Sequence, residues 1–256
     1  MSLVSIACGL AASDAWAASS PPLFDKPLQE RHRPLPRDPL NPQFKPELSC
    51  YVYPGLMIKQ TDMGEIGAAR IGLIRLAPKA KAPPCVRKPA KGEIDLVEGH
   101  ESAGNFRGIK GPFVLVDAPE SIQGGLALSF FDFDGRKLFE DLLQGNGLQQ
   151  VELLKTDPTQ LRLRYRRLFP AECSLYTDPA GCWQSIRQAT GLNEKSPPDC
   201  RADYESMAKA EAPERVQSVF KNPSVIDYDA ELIVALKGPQ QRAAPVSAAV
   251  RCWPAE

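Results

Sequence analysis

About ten short β-rich runs, separated by Gly, Pro and Asp-Gly or Asp-Pro steps, dominate the chain between residues 50 and 252. They fall at 50–53, 56–58, 71–74, 113–116, 126–133, 137–139, 151–154, 161–165, 225–236 and 246–252. Short runs at hairpin spacing cannot build a parallel α/β fold, whose crossovers need a dozen or more residues between strands. They predict a mainly β fold: an antiparallel sandwich or barrel-like body. Asp134-Gly135 suits a two-residue turn between 126–133 and 137–139, and residues 156–159 suit a turn between 151–154 and 161–165. The exception is 173–220, where 182–189 and 204–210 have helical composition and Pro197-Pro198 separates them. Three cysteines fall in that stretch, which predicts a small disulfide-tied helical insertion on the β body.

The cysteines also bear on location. Residues 1–17 hold an apolar run followed by Ala15-Trp16-Ala17, with small residues at the positions signal peptidase reads, although no Lys or Arg precedes the run. A buried N-terminal helix is the alternative. Cleavage after Ala17 would remove Cys8 and leave Cys50, Cys85, Cys173, Cys182, Cys200 and Cys252. An even set is what a disulfide framework in an oxidising compartment requires. Loop closure favours one local pair among Cys173, Cys182 and Cys200, with the third reaching Cys50, Cys85 or Cys252. Zinc is the competing use, but none of the six forms a C-x-x-C pair and the chain has only two His. The expectation is a periplasmic or secreted protein with three structural disulfides, and no metal or other cofactor. No segment offers the roughly 18 apolar residues of a membrane-spanning helix.

Eight prolines crowd residues 18–48, so this stretch reads as an extended or disordered leader ahead of one β-rich domain over 49–256. Lys+Arg and Asp+Glu both number 31. That balance argues against nucleic acid as a partner, because gripping several phosphates needs a basic excess.

Candidate sites are few. Residues 161–167 alternate so that Leu161, Leu163 and Tyr165 point inward and Arg162, Arg164 and Arg166 outward. Guanidinium groups about 7 Å apart along a strand face can bind an anionic partner, or simply discourage edge-to-edge pairing. Asp132, Asp134 and Glu140 superficially suggest a calcium loop. Arg136 occupies a position that needs an oxygen ligand, and a plain hairpin turn explains Asp-Gly. His100 between Glu98 and Glu101 is the one candidate general base, or else part of a glycine-flanked surface loop. Phe106, Phe113, Phe130, Phe131, Phe133 and Phe139 are core candidates, with an exposed subset able to line a groove. No nucleophile-elbow, zinc-protease, P-loop or dinucleotide motif is present.

Four segments, Cys50-Tyr51-Val52-Tyr53-Pro54, 62–68, 108–113 and 134–141, resemble exported proteobacterial proteins to which no activity is assigned. The resemblance would span most of 49–256. It implies an envelope location and supplies no catalytic residue. Taken together, the sequence predicts an exported, disulfide-stabilised binding or interaction protein without catalytic activity, its partner a protein or envelope component. The alternatives are an envelope hydrolase using carboxylates, and an inhibitor or immunity-type protein acting through the arginine row.

Overall fold

A computed structural model describes residues 22–64, 68–96, 104–122, 125–238, 242–246 and 249–255. The described chain is mainly β, and every strand pairing is antiparallel. One sheet runs in simple chain order: β1 (Gln29–Pro34), β2 (Glu47–Tyr53), β3 (Leu56–Asp62), β4 (Ala68–Arg75) and β5 (Ile94–Asp95). The second begins with β6 (Asn105–Lys110), β7 (Phe113–Ile122), β8 (Gly125–Phe131), β9 (Lys137–Leu154) and β10 (Asp157–Pro170). It continues with β11 (Ser224–Ala235) and β12 (Ala244–Pro245), while β13 (Arg251–Pro254) also pairs with β11. Neither sheet closes into a barrel.

The apolar run 113–116 explains how the sheets meet. Phe113 and Leu115 point to one face of β7 and Val114 and Val116 to the other, and all four are buried. Val114, Val116 and Phe131 share a core with Leu56, Ile58, Ile71 and Leu73 of the five-stranded sheet. Phe113, Leu115 and Phe130 belong to a larger core with Leu161, Leu163, Tyr165, Tyr228 and Leu232. The inward set predicted for residues 161–165 is therefore where alternation puts it.

Helices cover that larger core. α1 (Pro179–Thr190) starts where the Asp178 side chain accepts the Gly181 N–H, and it stops at Gly191, whose φ of +79° suits a residue without a Cβ. Its buried face, Cys182, Trp183 and Ile186, packs with Tyr204 of α2 (Arg201–Ala210) and Val219 of α3 (Val216–Val219). The six cysteines pair as Cys50–Cys85, Cys173–Cys182 and Cys200–Cys252. The local pair straddles the start of α1, and the third cysteine of the insertion reaches the C-terminal strand. Such crosslinks persist in oxidising compartments. Among the described residues no helix is long and apolar enough to cross a membrane.

Two regions depart from the sequence reading. The final strand is not 246–252 but the short pair β12 and β13. The proline-rich stretch is not disordered from Pro22 onward. Phe24 lies so close to Gly108 that a Cβ there would overlap its ring, and the Asp25 N–H donates to the Ile109 carbonyl at 2.8 Å. β1 then adds to the edge of β2. The proline-free interval 28–33 can supply ladder donors, and Pro34 sits at the strand's end on an edge, where a missing N–H is tolerated. This segment thus straps both sheets. Residues 1–17, read as a signal peptide, lie outside the described residues.

The strap carries a titratable contact. His32 Nδ1 is 2.9 Å from Glu47 Oε1, and Nε2 is 2.8 Å from Glu30 Oε1. Hydrogen bonds to Glu47 and then Glu30 raise the His32 pKa above its ordinary 6.5. A group raised on folding contributes fully below its unfolded pKa, and that contribution fades as pH rises through the folded value. An NMR titration of the His32 ring should therefore give a midpoint above 6.5, falling back toward 6.5 in a Glu30→Gln/Glu47→Gln variant. A wild-type midpoint at or below 6.5 would show that the ring is not held by the two carboxylates.

Candidate functional site

The outward arginines are largely spoken for. Arg166 keeps only 13% of its side chain exposed and binds Asp227, itself fully buried, at 2.8 Å, and Asp229 at 3.4 Å. Arg251 approaches the same Asp227 from β13. Burial opposes the Asp227 charge, but hydrogen bonds from Arg166 and Arg251 prevail and hold its pKa below the usual carboxylate value. Arg162 is 3.3 Å from Glu152 and 3.6 Å from Glu231, on the two flanking strands. Arg164 between them is exposed. Acids on β9 and β11 thus already face much of the row.

The next residue has a different setting. Arg167 shares the parity of Leu161, Leu163 and Tyr165, so its side chain lies on the inner face, directly across from Tyr228 on β11. Arg167 Nη1 donates to the Tyr228 hydroxyl at 2.8 Å, and Nε lies 2.7 Å from Asp141 Oδ2 on β9. That oxygen also accepts the Tyr165 hydroxyl at 2.6 Å, while Asp141 Oδ1 accepts the Leu142 N–H at 2.9 Å. The guanidinium carbon is 5.9 Å from the Phe169 ring centre and 6.0 Å from that of Tyr228. Burial, then the Asp141 charge, pushes the Tyr165 phenol far above its ordinary value, so it stays a donor at all physiological pH. Burial likewise raises Tyr228. Burial alone would weaken the Arg167 charge, but Asp141 together with Tyr228 and Tyr165 more than offsets it and its pKa is raised.

This network floors a cleft of about 550 Å³, within the size range of small-molecule sites. Phe139 and Arg167 line the sheet side, Gln188 to Gly191 at the end of α1 line another, and Arg242 to Pro245 close the rim. Sequence reasoning passed over this place. The available signal was Arg167 itself: it breaks the alternation by putting a charge on the apolar face of β10.

The other candidates settle differently. Asp132 Oδ1 accepts the N–H groups of Asp134 and Arg136, both at 2.9 Å, and Oδ2 pairs with the Arg136 side chain at 3.1 Å. Its carboxylate thus caps the Asp-Gly turn, where Gly135 has a φ of +75°. Among the described residues no group of three His, Cys, Asp or Glu side chains is arranged to hold a metal. Phe113, Phe130 and Phe131 are core, whereas Phe139 is partly exposed in the cleft. His100, Glu98 and Glu101 lie outside the described residues. The chain matches no protein-family model, no curated protein and no solved structure.

Proposed function

We propose that the protein is exported and acts as a binding protein of the cell envelope, with its ligand seated in the cleft above Arg167. The cleft carries this reading: a cavity of about 550 Å³ whose floor is a guanidinium fixed by Asp141 and Tyr228. A pre-braced arginine loses little side-chain freedom when a ligand arrives, which is what a binding site needs. Three disulfides hold the surrounding scaffold and fit an oxidising location. The cleft takes over the role that the sequence assigned to Arg162, Arg164 and Arg166, since carboxylates of the sheet already engage two of those three.

The test is a thermal-shift screen of the oxidised protein against amino acids, sugars, nucleotides, organic acids and peptides. At least one class should raise the melting temperature, and Arg167→Met should abolish that rise. If no class stabilises the protein, or the rise persists in Arg167→Met, the cleft is not the binding site.

A further inference from the structure

The cleft has two walls of opposite polarity, and its charges are balanced before any ligand enters. On the sheet side Arg167 is hydrogen-bonded to Tyr228 and ion-paired with Asp141, whose oxygen lies near Nε without hydrogen-bond alignment, and neither Nη2 hydrogen has an acceptor among the described residues. Arg167 keeps 20% of its side chain exposed and lines the cleft. Nη1 and Nη2 form the planar fork that matches a carboxylate. Arg242 at the rim adds a second positive charge, and Glu140, whose carboxylate binds Ser129 and Lys137, adds a second negative one.

The facing wall is the last turn of α1. The Gly191 N–H returns to the Arg187 carbonyl at 2.9 Å, the Thr190 hydroxyl donates to Ile186, and the Leu192 N–H goes to that same hydroxyl. The carbonyls of Gln188, Ala189 and Thr190 are left without a donor among the described residues. Unpaired carbonyls at a helix C-terminus concentrate partial negative charge and attract cations. Asp141 cannot serve a ligand ammonium as well, because Leu142, Tyr165 and Arg167 already occupy it. Phe139 on the sheet side and Ala244 and Pro245 at the rim give the lining apolar surface suited to a hydrocarbon side chain.

Resting on the binding reading above, we infer that the ligand is a free amino acid with an apolar side chain. Its carboxylate sits on the Arg167 fork and its ammonium on the carbonyls that end α1. Charge balance selects this class over simple anions. Glu140 and Asp141 already balance Arg167 and Arg242 in the lining, so a dianion such as phosphate would bring uncompensated negative charge beside the helix C-terminus. A zwitterion brings one charge to each wall.

Isothermal titration calorimetry of the full oxidised chain tests this with leucine and phenylalanine. Each is compared with the carboxylate lacking the ammonium (4-methylpentanoate, 3-phenylpropanoate), the amine lacking the carboxylate, and inorganic phosphate. At least one of the two amino acids should bind, with each single-charge analogue weaker by about tenfold or more, the loss expected for one charge-assisted hydrogen bond. Arg167→Met should remove binding, and Arg242→Ala, a change at an exposed position, should weaken it several-fold without altering the melting temperature. Equal binding of the ammonium-free analogue, stronger binding of phosphate, or no binding of either amino acid overturns the assignment. If another class from the thermal-shift screen binds in an Arg167-dependent way, only the zwitterion assignment fails. If nothing binds at all, the binding reading fails with it.

Discussion

Replacing Glu93 by alanine should lower the free energy of unfolding by about 3–5 kcal/mol, the range for removing one partner of a buried ion pair. Glu93 keeps 1% of its side chain exposed and Lys59 3%, and the two meet at 2.9 Å. The same Glu93 oxygen accepts the Ala90 N–H at 2.7 Å, and Arg70 approaches the other at 3.4 Å. Without the carboxylate, the Lys59 ammonium is left with the Lys88 carbonyl alone, in a place water does not reach. For a chain of this size the melting temperature should fall by roughly 10 °C. Lys59→Met combined with Glu93→Leu should recover most of the loss, because it removes the stranded charge along with its partner. Gly72 belongs to the same unit, since a Cβ there would overlap Glu93 Oε1. Gly72→Ala should therefore be far less damaging in the Glu93→Ala background than in the wild type. Urea unfolding checks all of these, and additive effects of the two substitutions would show that the glycine and the carboxylate are not coupled.

The second large effect concerns the longest crosslink. Cys200→Ser with Cys252→Ser should cost about 4 kcal/mol on the loop-closure account, because the pair spans 52 residues. Cys173→Ser with Cys182→Ser, spanning nine, should cost less than about 3 kcal/mol. The long crosslink also joins the start of α2 to β13, so its loss frees the helical cover and the C-terminal strand together. Chemical denaturation of the two double variants gives the order directly. A larger loss from the short pair would mean that local strain or residual structure, not chain entropy, sets the stabilisation.

Much of the fold was readable because alternation and Gly/Pro punctuation are local signals. The inward faces of β7 and β10 follow from side-chain parity alone, and the helical composition of 182–189 and 204–210 marks α1 and α2. What was missed depends on distant partners. β9 runs unbroken from Lys137 to Leu154, where the sequence pattern gives only the separate runs 137–139 and 151–154. Gly147 is there because a Cβ would meet Arg166 on β10, where the register shifts. β1 exists because β2 offers it an edge, a fact its prolines conceal. The division into two open sheets, with β7 of the second contributing one face to the core of the first, cannot be read from periodicity, which fixes faces but not neighbours. In the site, the arginine row was visible as a pattern. Its pairing with Asp227, Asp229, Glu152 and Glu231 was not, because those acids come from other strands. Arg167 was visible only as an exception to the pattern.

The central claim, an exported protein that holds a small ligand above Arg167, is tested most directly by native mass spectrometry. The protein should be recovered from its own cell envelope without reducing agent. The account predicts a mass six hydrogens below that of the reduced chain, from three disulfides, and a non-covalent small-molecule adduct that Arg167→Met loses. A chain found with free thiols in the cytoplasmic fraction, or an adduct that Arg167→Met retains, would contradict it.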